Sequence, residues 1–119
     1  MDGFAGEIGV RAQDAENGHA RLEFEAEDRH LNPAGTVHGG VLATLVDTAM
    51  GLAARSRTDD GEVPATSQLT IAYLTAACEG SMTVTAQVRK QGEHVLLCDA
   101  DVDQDGKTVV HAVATFALL

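Results

Sequence analysis

The feature that most constrains the fold of this chain is the stretch from Val41 to Ala54, which contains no proline and one charged side chain, Asp47. At about 100° per residue, as in an α-helix, the large apolar side chains fall opposite Asp47 and small residues surround it. The large-residue face comprises Leu42, Leu45, Ala49, Leu52 and Ala53, and the small-residue face comprises Gly40, Ala43, Thr44, Gly51 and Ala54. Such a helix is normally buried, where an unpaired carboxylate is costly, so we expect Asp47 to be either paired or functional.

The residues that lead into this helix combine a turn with free backbone donors. Residues 32–35, Asn-Pro-Ala-Gly, are typical of a turn, and residues 38–40, His-Gly-Gly, then begin the helix. Glycine permits close approach to the backbone, and the first amides of a helix have no partner within it. These N–H donors, with a carboxylate two turns later, suit attack on a carbonyl: the donors bind the developing oxyanion and the carboxylate acts as base or nucleophile.

Alternating apolar and polar residues predict strands on both sides of the helix, which we place at residues 38–57. Before it, we expect a loose lead-in over 1–6, a weak strand over 7–14, an Asn17-Gly18 hairpin turn and a strand over 20–27. After it, four strands are predicted at 65–75, 81–90, 95–103 and 108–118, the last two joined by an Asp105-Gly106 turn. This order predicts one α+β domain over residues 1–119, with an antiparallel sheet of about six strands wrapped around one long central helix.

Composition limits the partners. The net charge of −10 and an aromatic content of 3% argue against a nucleic-acid partner. We find no apolar run long enough for a membrane span and no signal-peptide pattern, so we expect no membrane association. Cys78 and Cys98 lack metal-ligand spacing and suggest a reducing cytoplasm, and the histidines form no ligand pattern, so no metal is expected.

The segment HLNPAGTVHGGVLATLVDTAMGLAA at residues 30–54 resembles the signature of hotdog-fold acyl-CoA thioesterases of the PaaI (phenylacetate-pathway) type. The matching positions are Asn32, Pro33, Gly35, His38, Gly39, Gly40 and Asp47. The resemblance implies a hotdog fold and hydrolysis of an acyl-CoA to the free acid and CoA without a cofactor. It also implies sites shared between subunits, with a homodimer as the minimum and a homotetramer expected.

The resemblance also implies roles for individual residues. Asp47 either attacks the thioester carbonyl or activates a water, and both alternatives stay open. The Gly39 N–H is the oxyanion donor, and His38 orients the loop and helps to polarise the carbonyl. Asn32 is expected to position the thioester or the attacking water, from the other subunit. Thr66, with Ser67 as the neighbouring alternative, holds the water or the substrate.

Substrate binding is predicted at Gly40, for close approach to the backbone, and at Arg89 and Lys90, for the nucleotide end of CoA. Phosphates need donors, which an acidic chain must gather locally. Residues 93–94 are Glu-His, where many relatives have a basic residue, so Arg55 and Arg57 are the alternatives. Two rival functions are a non-catalytic acyl-CoA or acyl-carrier binding module and an enoyl-CoA hydratase-like enzyme on the same fold. The sequence does not predict acyl specificity.

Overall fold

A computed structural model describes the backbone of residues 1–119 and all side chains except those of residues 12–13. In chain order the elements are α1 (Gly3–Ile8), β1 (Arg11–Glu16), β2 (His19–Ala26), a 3-10 turn (Asp28–His30), α2 (Gly39–Arg55), β3 (Pro64–Tyr73), β4 (Gly80–Gln91), β5 (Val95–Gln104) and β6 (Lys107–Leu118). The strands form one six-stranded sheet in the order β1-β2-β4-β5-β6-β3, and all neighbours are antiparallel. The predicted sheet around one long helix is confirmed.

The core forms where the inner face of the sheet meets α2. The helix buries seven side chains: Leu42, Leu45, Val46, Ala49, Met50, Ala53 and Ala54. These join one apolar cluster with alternate residues of the strands, including Leu22, Phe24, Val84, Leu96 and Phe116. The strict alternation of buried residues along β2 and β5 follows from the pleat, which turns successive side chains to opposite faces.

Both hairpin turns were predicted correctly. Asn17 and Gly18 have φ angles of 51° and 79°, and Asp105 and Gly106 have 51° and 77°. Two successive residues with positive φ define the type I′ turn, whose twist matches that of the strands it joins. Asn and Asp tolerate this conformation better than other side chains do, which explains why the Asn-Gly and Asp-Gly pairs locate the turns.

The amino terminus differs from the prediction. Residues 3–8 form the helix α1 rather than a loose lead-in and the start of a strand, and β1 begins only at Arg11. Two glycines in six residues give α1 a poor intrinsic propensity, so the sequence pattern does not indicate it. Ala5 and Ile8 pack against the core, and Gly9, with φ of 102°, caps the helix by donating to the Gly6 carbonyl.

The small-residue face of α2 is covered in part by the chain itself. Ala54 is fully buried within its own chain, and a Cβ at Gly51 would lie 3.6 Å from the Phe116 ring. Residues of the same chain therefore cover part of the small-residue face in the carboxyl half of the helix. The amino half, with Gly40 and Ala43, borders two open cavities.

The two edges of the sheet differ in charge. The edge strand β1 carries Arg11, Asp14 and Glu16, whereas the other edge strand, β3, has the sequence PATSQLTIAY without a charge. Most of β3 is exposed. Natural proteins usually protect a long edge strand with charged residues, bulges or a covering element. In the part of the chain that the structure describes, no helix has both the length and the apolarity needed to cross a membrane.

Candidate active site

The loop before α2 is fixed by the side chain of Asn32. Its Oδ1 accepts hydrogen bonds from the N–H groups of Ala34 (3.0 Å) and Thr36 (3.2 Å), and its Nδ2 donates to Thr36 Oγ1 (2.9 Å). An Asx-type turn uses the side-chain oxygen of Asn or Asp as the acceptor, and the amide of Asn32 adds a donor to Thr36. Asn32 therefore shapes the loop that leads to the helix. Its predicted contact with substrate or water stays a prediction.

The amino terminus of α2 presents one unused backbone donor. His38 is the N-cap, and its Nδ1 accepts the Gly40 N–H at 2.8 Å. The N–H groups of Val41 and Leu42 both donate to the His38 carbonyl. Among the residues that the structure describes, no group accepts a hydrogen bond from the Gly39 N–H. This amide is the predicted oxyanion donor, and it is the one first-turn N–H that neighbouring groups leave available.

The capping bond also determines which nitrogen of His38 carries hydrogen. Because Nδ1 accepts the Gly40 N–H, the neutral ring carries its hydrogen on Nε2. The side chain is exposed, Nε2–H is not used by the cap, and its predicted role in polarising a carbonyl stays a prediction. Gly40 donates its N–H to His38 and also lines the cavity beside Gly39, and its predicted substrate binding stays a prediction. A Cβ at Gly40 would lie 3.0 Å from His38 Nδ1, so a larger residue there requires the capping ring to shift by a few tenths of an ångström.

Gly39 borders a cavity of about 520 Å³, which we call the glycine cavity. It is lined by Thr36, Val37, Gly39, Gly40, Leu42, Tyr73, Thr75, Ala76 and Ala77. Tyr73, the last residue of β3, donates its hydroxyl to the Gly39 carbonyl at 3.0 Å. Sequence reasoning missed this contact. The alternation of Leu69, Ile71 and Tyr73 could have placed the ring on the side of the helix.

A buried amide supports the far wall of the glycine cavity. Gln104 is 8% exposed; its Oε1 accepts the Cys78 N–H (2.9 Å) and its Nε2 donates to the Cys78 carbonyl (2.7 Å). The adjacent Ala77 carbonyl accepts the N–H of Val37, next to the N-cap. Gln104 thus supports the amino terminus of α2 indirectly: it holds Cys78, and the neighbouring Ala77 holds Val37. It was also missed, although it continues the inward alternation of β5.

Asp47 lies on a second cavity, of about 310 Å³, which we call the carboxylate cavity. Its lining residues are Phe4, Ala5, Ala43, Thr44, Asp47, Thr48 and Leu69. Asp47 is half-buried rather than fully buried, and Thr66 Oγ1 donates to its Oδ1 at 2.7 Å. The expected cost of an unpaired buried carboxylate is therefore avoided by partial exposure and one hydrogen bond.

A bulge in β3 selects between Thr66 and Ser67. The pairing of β3 with β6 shifts register between Thr66 and Gln68, which leaves Ser67 as the extra residue. Its hydroxyl instead contacts the Thr115 carbonyl and hydroxyl. Because a bulge redirects the side chains around it, Thr66 and not Ser67 faces the carboxylate. The geometry favours Thr66 among the two alternatives.

The two predicted halves of the site are separate within one chain. Gly39 and Asp47 are eight residues apart on α2, which corresponds to about 12 Å of rise along the axis. They also border different cavities. The expectation that one stretch brings the donors beside the carboxylate is therefore wrong for a single chain, because helical rise separates them.

The predicted nucleotide-binding residues lie at the end of the sheet where β4 ends and β3 begins. Arg89 already pairs with Asp99, Nε to Oδ2 at 2.8 Å, so its charge is partly used within the chain. Lys90 is exposed, and the described side chains offer it no ion pair. Arg57, at the same end, donates to the Asn17 carbonyl. Among these residues, Lys90 has the most available charge.

The thiols and acidic residues show no further reactive cluster in the described part of the chain. Cys98 is fully buried, and burial, with a smaller contribution from the charge of Asp99, raises the pKa of its thiol from 9.0 to about 11. Cys78 is exposed and unpaired. Among the described side chains, no three His, Cys, Asp or Glu residues converge as metal ligands would.

Comparison with known proteins identifies the class. The thioesterase superfamily model matches residues 34–111, which include Gly39, Asp47 and Thr66. The chain is 36% identical over 93 residues to acyl-coenzyme A thioesterase 13 of Mus musculus, covering 77% of this chain and 64% of that protein. The chain belongs to the thioesterase superfamily.

Solved structures of similar proteins have the same fold as this chain. A conserved protein from Pseudomonas aeruginosa is 28% identical with a TM-score of 0.95, covering 100% of this chain and 95% of that chain. The E. coli PaaI protein from the phenylacetic acid degradation operon is 30% identical with a TM-score of 0.89, covering 97% of this chain and 83% of that one. The predicted hotdog fold, the resemblance to PaaI and the class of enzyme, a thioester hydrolase, are confirmed.

Proposed function

We propose that this chain hydrolyses acyl-CoA thioesters to the free acid and CoA, with Asp47 and the Gly39 N–H as the central groups. The observation that carries this proposal is the Asp47 carboxylate, which is open to a cavity and accepts a hydrogen bond from Thr66. A polar group poised in an apolar, half-buried cavity is expected of chemistry rather than of packing. The relatives named for acyl-CoA thioesterase activity support this substrate class.

Two routes use the same groups. In one, Asp47 removes a proton from a water held by Thr66, and the water oxygen attacks the thioester carbon. In the other, the carboxylate attacks directly, and water then cleaves the resulting anhydride. In both, the carbonyl oxygen becomes an oxyanion at the Gly39 N–H, and the C–S bond breaks to release CoA as a thiolate, which takes up a proton. His38 Nε2–H adds a second donor.

The separation along α2 supports a site built from two chains. One chain presents Gly39 and its partner presents Asp47, so that both reach a single carbonyl. Tyr73 links the end of β3 to Gly39, and Thr66 links the beginning of β3 to Asp47. If two β3 strands pair antiparallel about a two-fold axis near Leu69 and Thr70, the Thr66 end of one lies beside the Tyr73 end of the other.

The surface supports the same assembly. The edge strand β3 carries no charged residue, and pairing with a second copy satisfies its free backbone groups. We propose a homodimer as the minimal active unit. The exposed Val95 and Leu97 side chains on β5 support a second interface and hence a homotetramer.

We propose that Lys90, with Arg89 in a lesser role, holds a phosphate of CoA. Changing Lys90 to Ala is expected to raise KM for an acyl-CoA several-fold with little effect on kcat, because such a contact binds substrate and transition state about equally. A matched acyl thioester of N-acetylcysteamine, which lacks the nucleotide, is the control substrate. An equal effect on both substrates would remove Lys90 from this role. Arg55 and Arg57 would then be tested.

The sharpest test of the mechanism compares Gly39→Pro with Gly39→Ala. Gly39 is the first helical residue, where proline is tolerated, and His38 has φ of −58° and ψ of 133°, which suits a residue before proline. Gly39→Pro removes the N–H, whereas Gly39→Ala keeps it. Both place a Cβ near the Tyr73 hydroxyl, 3.4 Å away.

The proline variant is expected to lose on the order of 10² to 10³ in kcat, and the alanine variant only a few-fold, with released thiol as the measurement. Equal rates for the two variants would eliminate the amide as oxyanion donor. If the wild-type protein binds acyl-CoA but releases no thiol, the non-catalytic binding module is correct instead.

We further propose that residues 1–119 act as one domain, since all six strands belong to one sheet around α2. A cytoplasmic location is also proposed. Two unpaired cysteines, one of them exposed, support a reducing compartment.

A further inference from the structure

The amino-terminal helix α1 forms part of the carboxylate cavity. Phe4 and Ala5 line it together with Asp47, although they are more than forty positions away along the chain. The residues matched by the family model begin at 34, so α1 lies outside them. Phe4 is 69% exposed, which is unusual for a large aromatic side chain and leaves its ring available to a bound group.

The scaffold holds α1 firmly at its carboxyl end. His30 is 4% exposed, and its Nε2 lies 2.7 Å from the Ile8 carbonyl, while its Nδ1 accepts the Glu27 N–H at 2.9 Å. Arg29 donates to the Glu7 carbonyl at 3.2 Å. These contacts satisfy the last carbonyls of α1, which have no partner within the helix. Phe4, at the other end, is thereby positioned over the cavity.

The chemistry of the lining indicates which part of a thioester lies there. Apart from Asp47, the lining consists of apolar side chains and two threonines, and it contains no basic residue. The nucleotide of CoA needs cations, which lie elsewhere on the chain. An apolar acyl group attached to the carbonyl carbon near Asp47 suits this cavity, whereas an acyl group ending in a carboxylate meets the like charge of Asp47.

We infer that α1 forms the acyl-binding wall of the site and that Phe4 determines the size of the acyl group, selecting neutral apolar acyl thioesters. This inference rests on the proposed function. It adds a specificity-determining residue from an element that the sequence pattern does not indicate. An acyl chain long enough to reach the ring gains an apolar contact, whereas an acetyl group ends near the carbonyl and gains nothing from it.

The experiment measures kcat/KM for a straight-chain series from acetyl-CoA to dodecanoyl-CoA with wild type, Phe4→Ala and Phe4→Leu. For the best wild-type substrate, Phe4→Ala is expected to lose roughly tenfold or more, the usual scale for lost apolar contact in a pocket. The preferred length is expected to move to longer chains because the cavity opens. Acetyl-CoA turnover is expected to stay within about twofold, and Phe4→Leu to recover most of the loss.

Several results would overturn the inference. An equal loss on all substrates, acetyl-CoA included, would show that Phe4 acts on folding or on the reacting groups. An unchanged profile would show that the acyl group does not touch α1 and that another surface, such as a second copy of the chain, covers Phe4. Equal turnover of glutaryl-CoA and pentanoyl-CoA by wild type would refute the selection for neutral acyl groups.

A binding measurement separates this inference from the proposed function. Non-hydrolysable S-alkyl-CoA thioethers of increasing length are titrated against the same three proteins by calorimetry. If wild type hydrolyses nothing, the proposed function fails, yet a length-dependent loss of affinity confined to Phe4→Ala would still support the acyl wall. If hydrolysis proceeds and affinity does not depend on Phe4, the acyl wall fails and the proposed function stands.

Discussion

A single carboxylate carries the chemistry proposed for this chain. Asp47→Asn keeps the size of the side chain and removes its charge, so turnover is expected to fall by on the order of 10² to 10⁴, the usual contribution of one positioned catalytic group. Stability is expected to be unchanged, because Asp47 is half-buried and an amide oxygen can still accept from Thr66. Thiol release and thermal unfolding measure the two effects. Near wild-type turnover in a folded sample would remove Asp47 from the mechanism.

The buried thiol of Cys98 is expected to make the free energy of unfolding depend on pH. Burial raises the pKa of its thiol from 9.0 to about 11, so the folded state keeps a proton that the unfolded chain releases. The free energy of unfolding is therefore fully retained below pH 9.0 and falls as the pH rises towards about 11. Urea unfolding across this range, with Cys98→Ala as the control that lacks the thiol, measures the effect. Parallel curves for the two proteins would contradict it.

Individual site residues could be predicted from the sequence where a chemical constraint accompanied a pattern. Asp47 is indicated as a candidate because a charge interrupts an apolar helix, whereas Gly39 is indicated by the resemblance, within the His-Gly-Gly sequence that begins that helix. Thr66 was placed by resemblance, but its selection over Ser67 depends on a bulge that the sequence does not reveal. Tyr73 was missed because its partner is a backbone carbonyl, which leaves no mark in the sequence.

At the level of helices and strands, the alternation of side chains located α2 and five of the strands within a few residues, because period and turn chemistry agree there. The helix α1 was not predicted, because its two glycines lower the helix propensity of the segment. Its last carbonyls are held by Arg29 and His30, more than twenty positions away. Tertiary contacts of this kind override local propensity and are invisible to a pattern read along the chain.

The segment between β3 and β4 depends on one buried amide. Gln104→Leu keeps most of the bulk but removes both hydrogen bonds to Cys78, so the free energy of unfolding is expected to fall by about 1–2 kcal/mol. Hydrogen exchange of the Val37 and Cys78 amides is expected to accelerate, since both lie in the same network. The exposed Gln91→Leu, in β4, is the matched control. Unchanged exchange at both amides would show that the segment is held by other contacts.

At the scale of the whole molecule, the uncharged edge strand predicts that assembly and activity are lost together. Thr70→Asp places two negative charges, one from each chain, near the proposed two-fold axis. Like charges that face each other across paired strands repel. Light scattering is expected to show monomers, with loss of thiol release and an intact fold. Ala15→Asp adds the same charge to β1, the charged edge, and is expected to leave the assembly intact. A fully active monomeric Thr70→Asp protein would refute the shared site.

The distance of about 12 Å between Gly39 and Asp47 along α2 also has a genetic consequence. If each site takes its amide from one chain and its carboxylate from the other, a chain defective in one half still supplies the other half. Pairing a Gly39→Pro chain with an Asp47→Asn chain joins both lesions in one site and leaves the second site intact. Two inactive alleles can therefore complement each other, and a pool of freely exchanging chains recovers about a quarter of full activity.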